Sequence, residues 1–119
     1  KQEAYRASLE QLDAMVFVDP LFSPEDIDLY KCIILESWYE RNSEILKILI
    51  SAYKKMIEAY TNSKYIDQYR YKLVYFLILA GDFKEAQALM SFITSTDAQL
   101  EGRIEELKSN LNKKENGVD

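Results

Sequence analysis

Tyrosine and basic side chains are concentrated in one stretch of this 119-residue chain. Tyr53, Tyr60, Tyr65, Tyr69, Tyr71 and Tyr75 are interleaved there with Lys54, Lys55, Arg70 and Lys72. Tyrosine buries an apolar ring while keeping its hydroxyl wet, so it serves both seams between helices and binding surfaces. At helical spacing Tyr65, Tyr69 and Lys72 share one face, and Tyr71 and Tyr75 share another. A stripe of this kind is ordinarily core. Where it is exposed beside Lys54, Lys55 and Arg70, it offers stacking surface and positive charge together. The expected partner-binding residues are therefore Lys54, Lys55, Tyr65, Tyr69, Arg70 and Lys72.

Catalytic chemistry finds little support. The chain has no histidine and a single cysteine, Cys32, which removes the commonest acid/base group and metal ligand, and any intramolecular disulfide. Cys32 lies among apolar residues and reads as a small buried hydrophobe rather than a reactive thiol. Two acid pairs, Asp26 with Asp28 and Glu105 with Glu106, would need burial to bring a carboxylate toward neutral pH. Both fall on charged helix faces. Neither a phosphate-cradling glycine loop, nor a nucleophile motif, nor metal-ligand spacing occurs. The expectation is a protein that is not an enzyme, with no cofactor and no metal.

The elements that must position these residues are all helical. Three Gly and two Pro are too few to punctuate an all-β chain, and the length fits one domain with a core of its own. Tyr5, Leu9, Leu12 and Val16 mark a first helix over Lys1–Phe17, and Pro20 interrupts the pattern. Ser23, Pro24 and Asp26 form a strong helix start. The second helix runs to about Tyr39, with Ile27, Tyr30, Ile34 and Trp38 on one side and Cys32, Ile33 and Leu35 widening the stripe. Asn42 or Ser43 caps a third helix from Glu44 to about Tyr60, with Leu49, Tyr53 and Met56 on one apolar stripe and Leu46, Ile50 and Ile57 on another. The fourth spans Lys64–Ala80.

Its run from Leu73 to Ala80 is apolar throughout, too short for a bilayer, and so needs neighbouring helices. Gly81 suits the left-handed end of that helix, and Asp82 with Glu85 predicts a capping box opening a fifth, to about Thr94. A second such box, at Thr96 to Gln99, precedes an amphipathic last helix carrying Leu100, Ile104, Leu107 and Leu111. This helix is expected to cap the array, polar outside and apolar inside. The boundaries predict one domain over 1–112 and a frayed tail over 113–119. The chain begins at Lys1, and its first helix has no evident partner, which predicts that it is a piece of a longer protein.

The net charge of −5 is unevenly placed: residues 47–72 carry six basic and two acidic side chains, while both flanks are acidic. Charge runs usually mark solvated faces. A docking patch for an acidic peptide is the sharper alternative, and the overall acidity opposes nucleic acid. With no membrane span or signal segment in the sequence, a soluble, cytoplasmic protein is expected.

Self-similarity supplies the last clue. Ile27-Asp28-Leu29-Tyr30-Lys31 returns 39 residues later as Ile66-Asp67-Gln68-Tyr69-Arg70, and the turn at Asn42 falls on Gly81 at the same offset. The second unit, with Gly81-Asp82-Phe83-Lys84-Glu85-Ala86 as its turn and Leu73, Leu77 and Met90 as apolar positions, resembles the tetratricopeptide repeat over about residues 24–95. Val74, Lys47 and the longer spacing depart from that pattern. The resemblance implies antiparallel helical hairpins stacked as a short right-handed superhelix, whose first helices line a concave groove for a peptide or partner helix. The expected function is a protein-protein interaction module with a Tyr- and Lys-bearing groove. The alternatives are a regulatory or peptide-sensing domain of a larger protein, such as a transcription regulator, and a structural domain that self-associates as a homo-oligomer.

Overall fold

The computed structural model describes residues 2–18, 23–94 and 102–109, with side chains of the first segment as far as Gln11. Five helices have defined bounds: α1 (Gln2–Val18), α2 (Pro24–Tyr39), α3 (Leu46–Ala59), α4 (Ile66–Ala80) and α5 (Phe83–Met90). A further helical segment, α6, covers 102–109. Among the described residues there is no strand, so the expected all-helical class is correct. The capping box at Thr96 to Gln99, the connection through Pro20 and the tail over 113–119 lie outside the described residues.

Helix ends follow local chemistry. Ser23 forms the full capping box of α2: its Oγ accepts from the Asp26 amide at 3.1 Å, and its own amide donates to Asp26 Oδ2 at 3.4 Å. Asn42 Oδ1 accepts from the Glu44 amide at 3.1 Å, opening a 3-10 turn (Ser43–Ile45) that leads into α3. Gly81, at φ +85°, ends α4 in the left-handed conformation. Its amide donates to Ile78 O, and the Asp82 amide donates to Leu77 O at 2.9 Å, the paired closure of a Schellman motif. That closure overturns the box expected at Asp82 and Glu85. A box needs the Asp82 amide for the Glu85 carboxylate, and this amide is already spent on Leu77. The other half of the box is absent as well: the Asp82 side chain makes no cap bond.

Helix α5 stops four residues short of the expected Thr94. Ser91 Oγ donates to Ala88 O at 2.6 Å, and the amides of Phe92 and Ile93 fall back to three-residue turn bonds. The chain then turns to α4, where the Thr94 amide donates to Asp67 Oδ2 at 3.3 Å and Arg70 donates to Phe92 O at 3.1 Å.

The chain divides into two compact units, Lys1–Tyr60 and Thr61–Asp119. In the first, α1 and α3 both pack on α2. The direction of packing is fixed by side chains that tie opposite ends together. Tyr5 near the start of α1 stacks on Trp38 near the end of α2, with ring centroids 5.5 Å apart. Tyr53 donates to Glu36 at 2.7 Å, and Tyr60, just past α3, donates to Asp28 in the first turns of α2 at 2.6 Å. Both pairs are therefore antiparallel. The core of this unit includes Ile27, Cys32, Leu35, Trp38, Leu49 and Met56. Tyr30 and Ile33, expected on the buried side of α2, are exposed instead. Ile33 falls opposite the line through Ile27, Leu35 and Trp38 and Tyr30 at its edge, so covering that line leaves both outward.

In the second unit α4 pairs with α5, again antiparallel, since Asp67 at the start of α4 meets Thr94 beyond the end of α5. Leu73, Val74, Phe76, Leu77 and Ile78 are buried, whereas Tyr75 and Leu79 are exposed, so the apolar run is not covered all round. Ile104 and Leu107 of α6 are buried as expected.

The sequence repeat has a structural counterpart. Asp28 sits at the head of one hairpin, 3.8 Å from Lys31, and holds Tyr60 at the hairpin's far end. Asp67 occupies the matching place in the next, 3.1 Å from Arg70, and holds Thr94.

Candidate functional site

Where α1 and α3 flank α2, an open groove of about 580 Å³ lies over the α2 surface. Its floor is one face of α2, made of Asp28, Lys31, Cys32 and Leu35. One wall is a face of α3 that carries Lys47, Ile48, Ala52, Lys55 and Met56, with Ser51 and Ala59 completing it; Leu9 of α1 stands opposite. Positions 48, 52, 55 and 59 recur at spacings of four and three, which a helix brings to one side. The volume is in the range of small-ligand and peptide-anchor pockets.

The electrostatics are one-sided. Among the described residues, Lys31, Lys47 and Lys55 border the groove against a single acid, Asp28, and Asp28 already accepts from Tyr60 and neighbours Lys31. The same Asp28 bond acts on Tyr60. Burial first, then that bond and the nearby carboxylate charge, push the Tyr60 hydroxyl above its ordinary pKa. Cys32 on the floor is pushed up to about 12, chiefly by burial and then by the charges of Glu36 and Asp28, with Lys31 opposing. A thiol so held is protonated at neutral pH and is no nucleophile. The groove offers apolar contact and positive charge, with no acid/base pair among its described lining residues.

The residues expected to bind a partner are divided by this arrangement. Lys55 lines the groove, and Lys54 is exposed on α3 outside its lining. Tyr65, Tyr69, Arg70 and Lys72 belong to the second unit. Tyr69 is 3% exposed, so its ring is part of the core and presents no stacking surface. Arg70 is committed within its unit to Asp67 and Phe92 O. Tyr65 remains exposed with Lys64 Nζ 5.0 Å from its ring centroid, and Lys72 is half-buried. With Tyr75 and Leu79, these two form an outward stripe on α4, a grouping that the sequence reading did not make because it paired Tyr65 with Tyr69.

Lys31, Lys47 and Ile48 were not anticipated. Ile48 is 52% exposed, high for an isoleucine in mid-helix, and it stands between the two α3 lysines of the groove. The available signal was the 3–4 spacing of Ile48, Ala52, Lys55 and Ala59.

The acid pairs have structural duties. Asp26 caps α2 and Asp28 clamps Tyr60, while Glu105 pairs with Lys108 at 3.6 Å on an exposed face. Among the described residues, no group of His, Cys, Asp and Glu is placed to hold a metal ion, and no helix is long and apolar enough to cross a membrane. No family model, curated protein or solved structure matches the chain.

Proposed function

We propose that this chain is a protein-protein interaction module whose first unit docks an acidic, apolar-anchored segment of a partner in the groove over α2. The observation that carries this reading is the composition of the groove: an apolar floor and wall bordered by Lys31, Lys47 and Lys55, with the one carboxylate among its described lining residues already engaged. Opposite charge steers and orients a partner, and the apolar contact supplies most of the affinity. The hairpins α2–α3 and α4–α5 are read as successive tetratricopeptide-like repeats, supported by the matched roles of Asp28 and Asp67. In this reading the docking surface lies over α1 to α3, rather than along first helices alone as the resemblance implies.

Fluorescence anisotropy with labelled peptides of leucine, alanine and glutamate, beside counterparts with lysine for glutamate, tests the proposal. The acidic peptides should bind and the basic ones should not. Two exposed ion pairs contribute roughly 0.2–1 kcal/mol each, so the K47E/K55E double variant should lose about tenfold in affinity. A K84E/R103E double makes the same change of net charge at exposed positions that do not line the groove and should bind like wild type. Equal loss in both doubles, or equal binding of basic peptides, overturns the docking site.

A further inference from the structure

We infer that the occupant of the groove is an amphipathic helix with carboxylates two turns apart on the flanks of an apolar stripe. This rests on the reading of the groove as a docking surface for an acidic segment, and adds the conformation and spacing of that segment.

The first argument is hydrogen bonding. Every wall of the groove is helical, so its backbone amides and carbonyls are spent within their own helices. Among the described residues, the polar side chains that line it are three lysine ammoniums, the Ser51 hydroxyl, the buried Cys32 thiol and the engaged Asp28. An extended segment laid on Leu35, Ile48, Ala52 and Met56 would leave its own amides and carbonyls against apolar surface, at a cost for each unpaired group. A helix satisfies them internally and presents only side chains.

The second argument is shape. Helices α1 and α3 each pack on α2, but among the described residues not on one another. Their separation leaves a seam over α2 between two helices that both run antiparallel to it. A seam between helices is lined by ridges spaced three and four residues apart, the pattern into which the ridges of a further helix fit. Here the α3 wall extends from Lys47 to Ala59, roughly 18 Å at about 1.5 Å per residue. An occupant of three turns spans it and makes the three-helix layer into a four-helix arrangement. The groove volume, about 580 Å³, equals roughly four leucine-sized voids of about 150 Å³. That is the apolar stripe of two to three turns.

Charge then sets the register. Lys47 and Lys55 are eight residues apart on α3 and bracket Ile48 and Ala52, which places them roughly 12 Å apart along the axis. A helix alongside meets both when its acids are about seven or eight residues apart, with the leucines between.

Peptides of about 16 residues, long enough to populate helix, separate the possibilities. The parent carries a leucine stripe flanked by two glutamates two turns apart; one variant has a central proline, and another moves the glutamates to the opposite face. The parent should bind the full chain and gain helical circular dichroism on binding. Proline should weaken binding about a hundredfold, and relocation about tenfold. Tight binding of the proline peptide that still requires Lys47 and Lys55 would overturn the helical occupant while leaving the acidic docking site in place. Equal affinity of the relocated peptide would overturn the placement of the carboxylates on the flanks of the stripe. If K47E/K55E leaves binding of every peptide unchanged, the docking site itself falls, and this inference with it.

Discussion

Asp28 carries more of the first unit than its partly exposed position suggests. It accepts the Tyr60 hydroxyl, neighbours Lys31 and adds its charge to the environment of Cys32, thereby linking the α2–α3 clasp to the floor of the groove. The consequence for Cys32 is measurable. In an unfolded chain the thiol ionises near its ordinary value of 9.0, but in the folded protein only near about 12. Below pH 9 both states hold the proton, and the stabilisation is fully present. Between those values the unfolded chain releases the proton first, so stability falls as pH rises. The alkaline loss of stability should therefore be shallower in Cys32→Ala than in wild type, as read by urea melts across that range. Native Cys32 should also react far more slowly with a disulfide reagent at pH 8 than the urea-unfolded chain does; equal rates would contradict its burial.

At the scale of elements, caps and turns decide where each helix stops. Gly81 is the one described residue with positive φ, and a Cβ built there meets nothing within 4 Å. Gly81→Ala should cost roughly 1–2 kcal/mol from backbone conformation alone, and Gly81→Asn less, because asparagine tolerates the left-handed region. Ser23→Ala removes the acceptor of the α2 box and should cost about 1 kcal/mol. Chemical denaturation measures all three, and a neutral Gly81→Ala would mean that the α4 turn is not closed as described. These ends were legible because a cap depends on residues within five positions of each other. The end of α5 was not, because Thr94 and Phe92 are held by Asp67 and Arg70, more than twenty residues away.

For the molecule as a whole, the test of the core is Leu77. It is 0% exposed within the apolar run of α4, and a buried unpaired carboxylate costs several kcal/mol against a total stability of roughly 5 to 15. Leu77→Asp should therefore abolish the cooperative helical melt, and a variant that melts like wild type would show the core to lie elsewhere. Apolar spacing and caps alone determined that the described segments are helical, where most helices begin and end, and that within each unit helices adjacent in sequence pair. Each of those properties is settled by neighbours along the chain at a fixed period of 3.6 residues. Only tertiary structure decided which apolar face of each helix is covered. It turned Tyr69 inward and Tyr75 outward, left Ile48 in the open and gathered Lys31, Lys47 and Lys55 around one groove. Periodicity specifies which side chains share a face, but the choice between two comparably apolar faces belongs to the helix that packs against them.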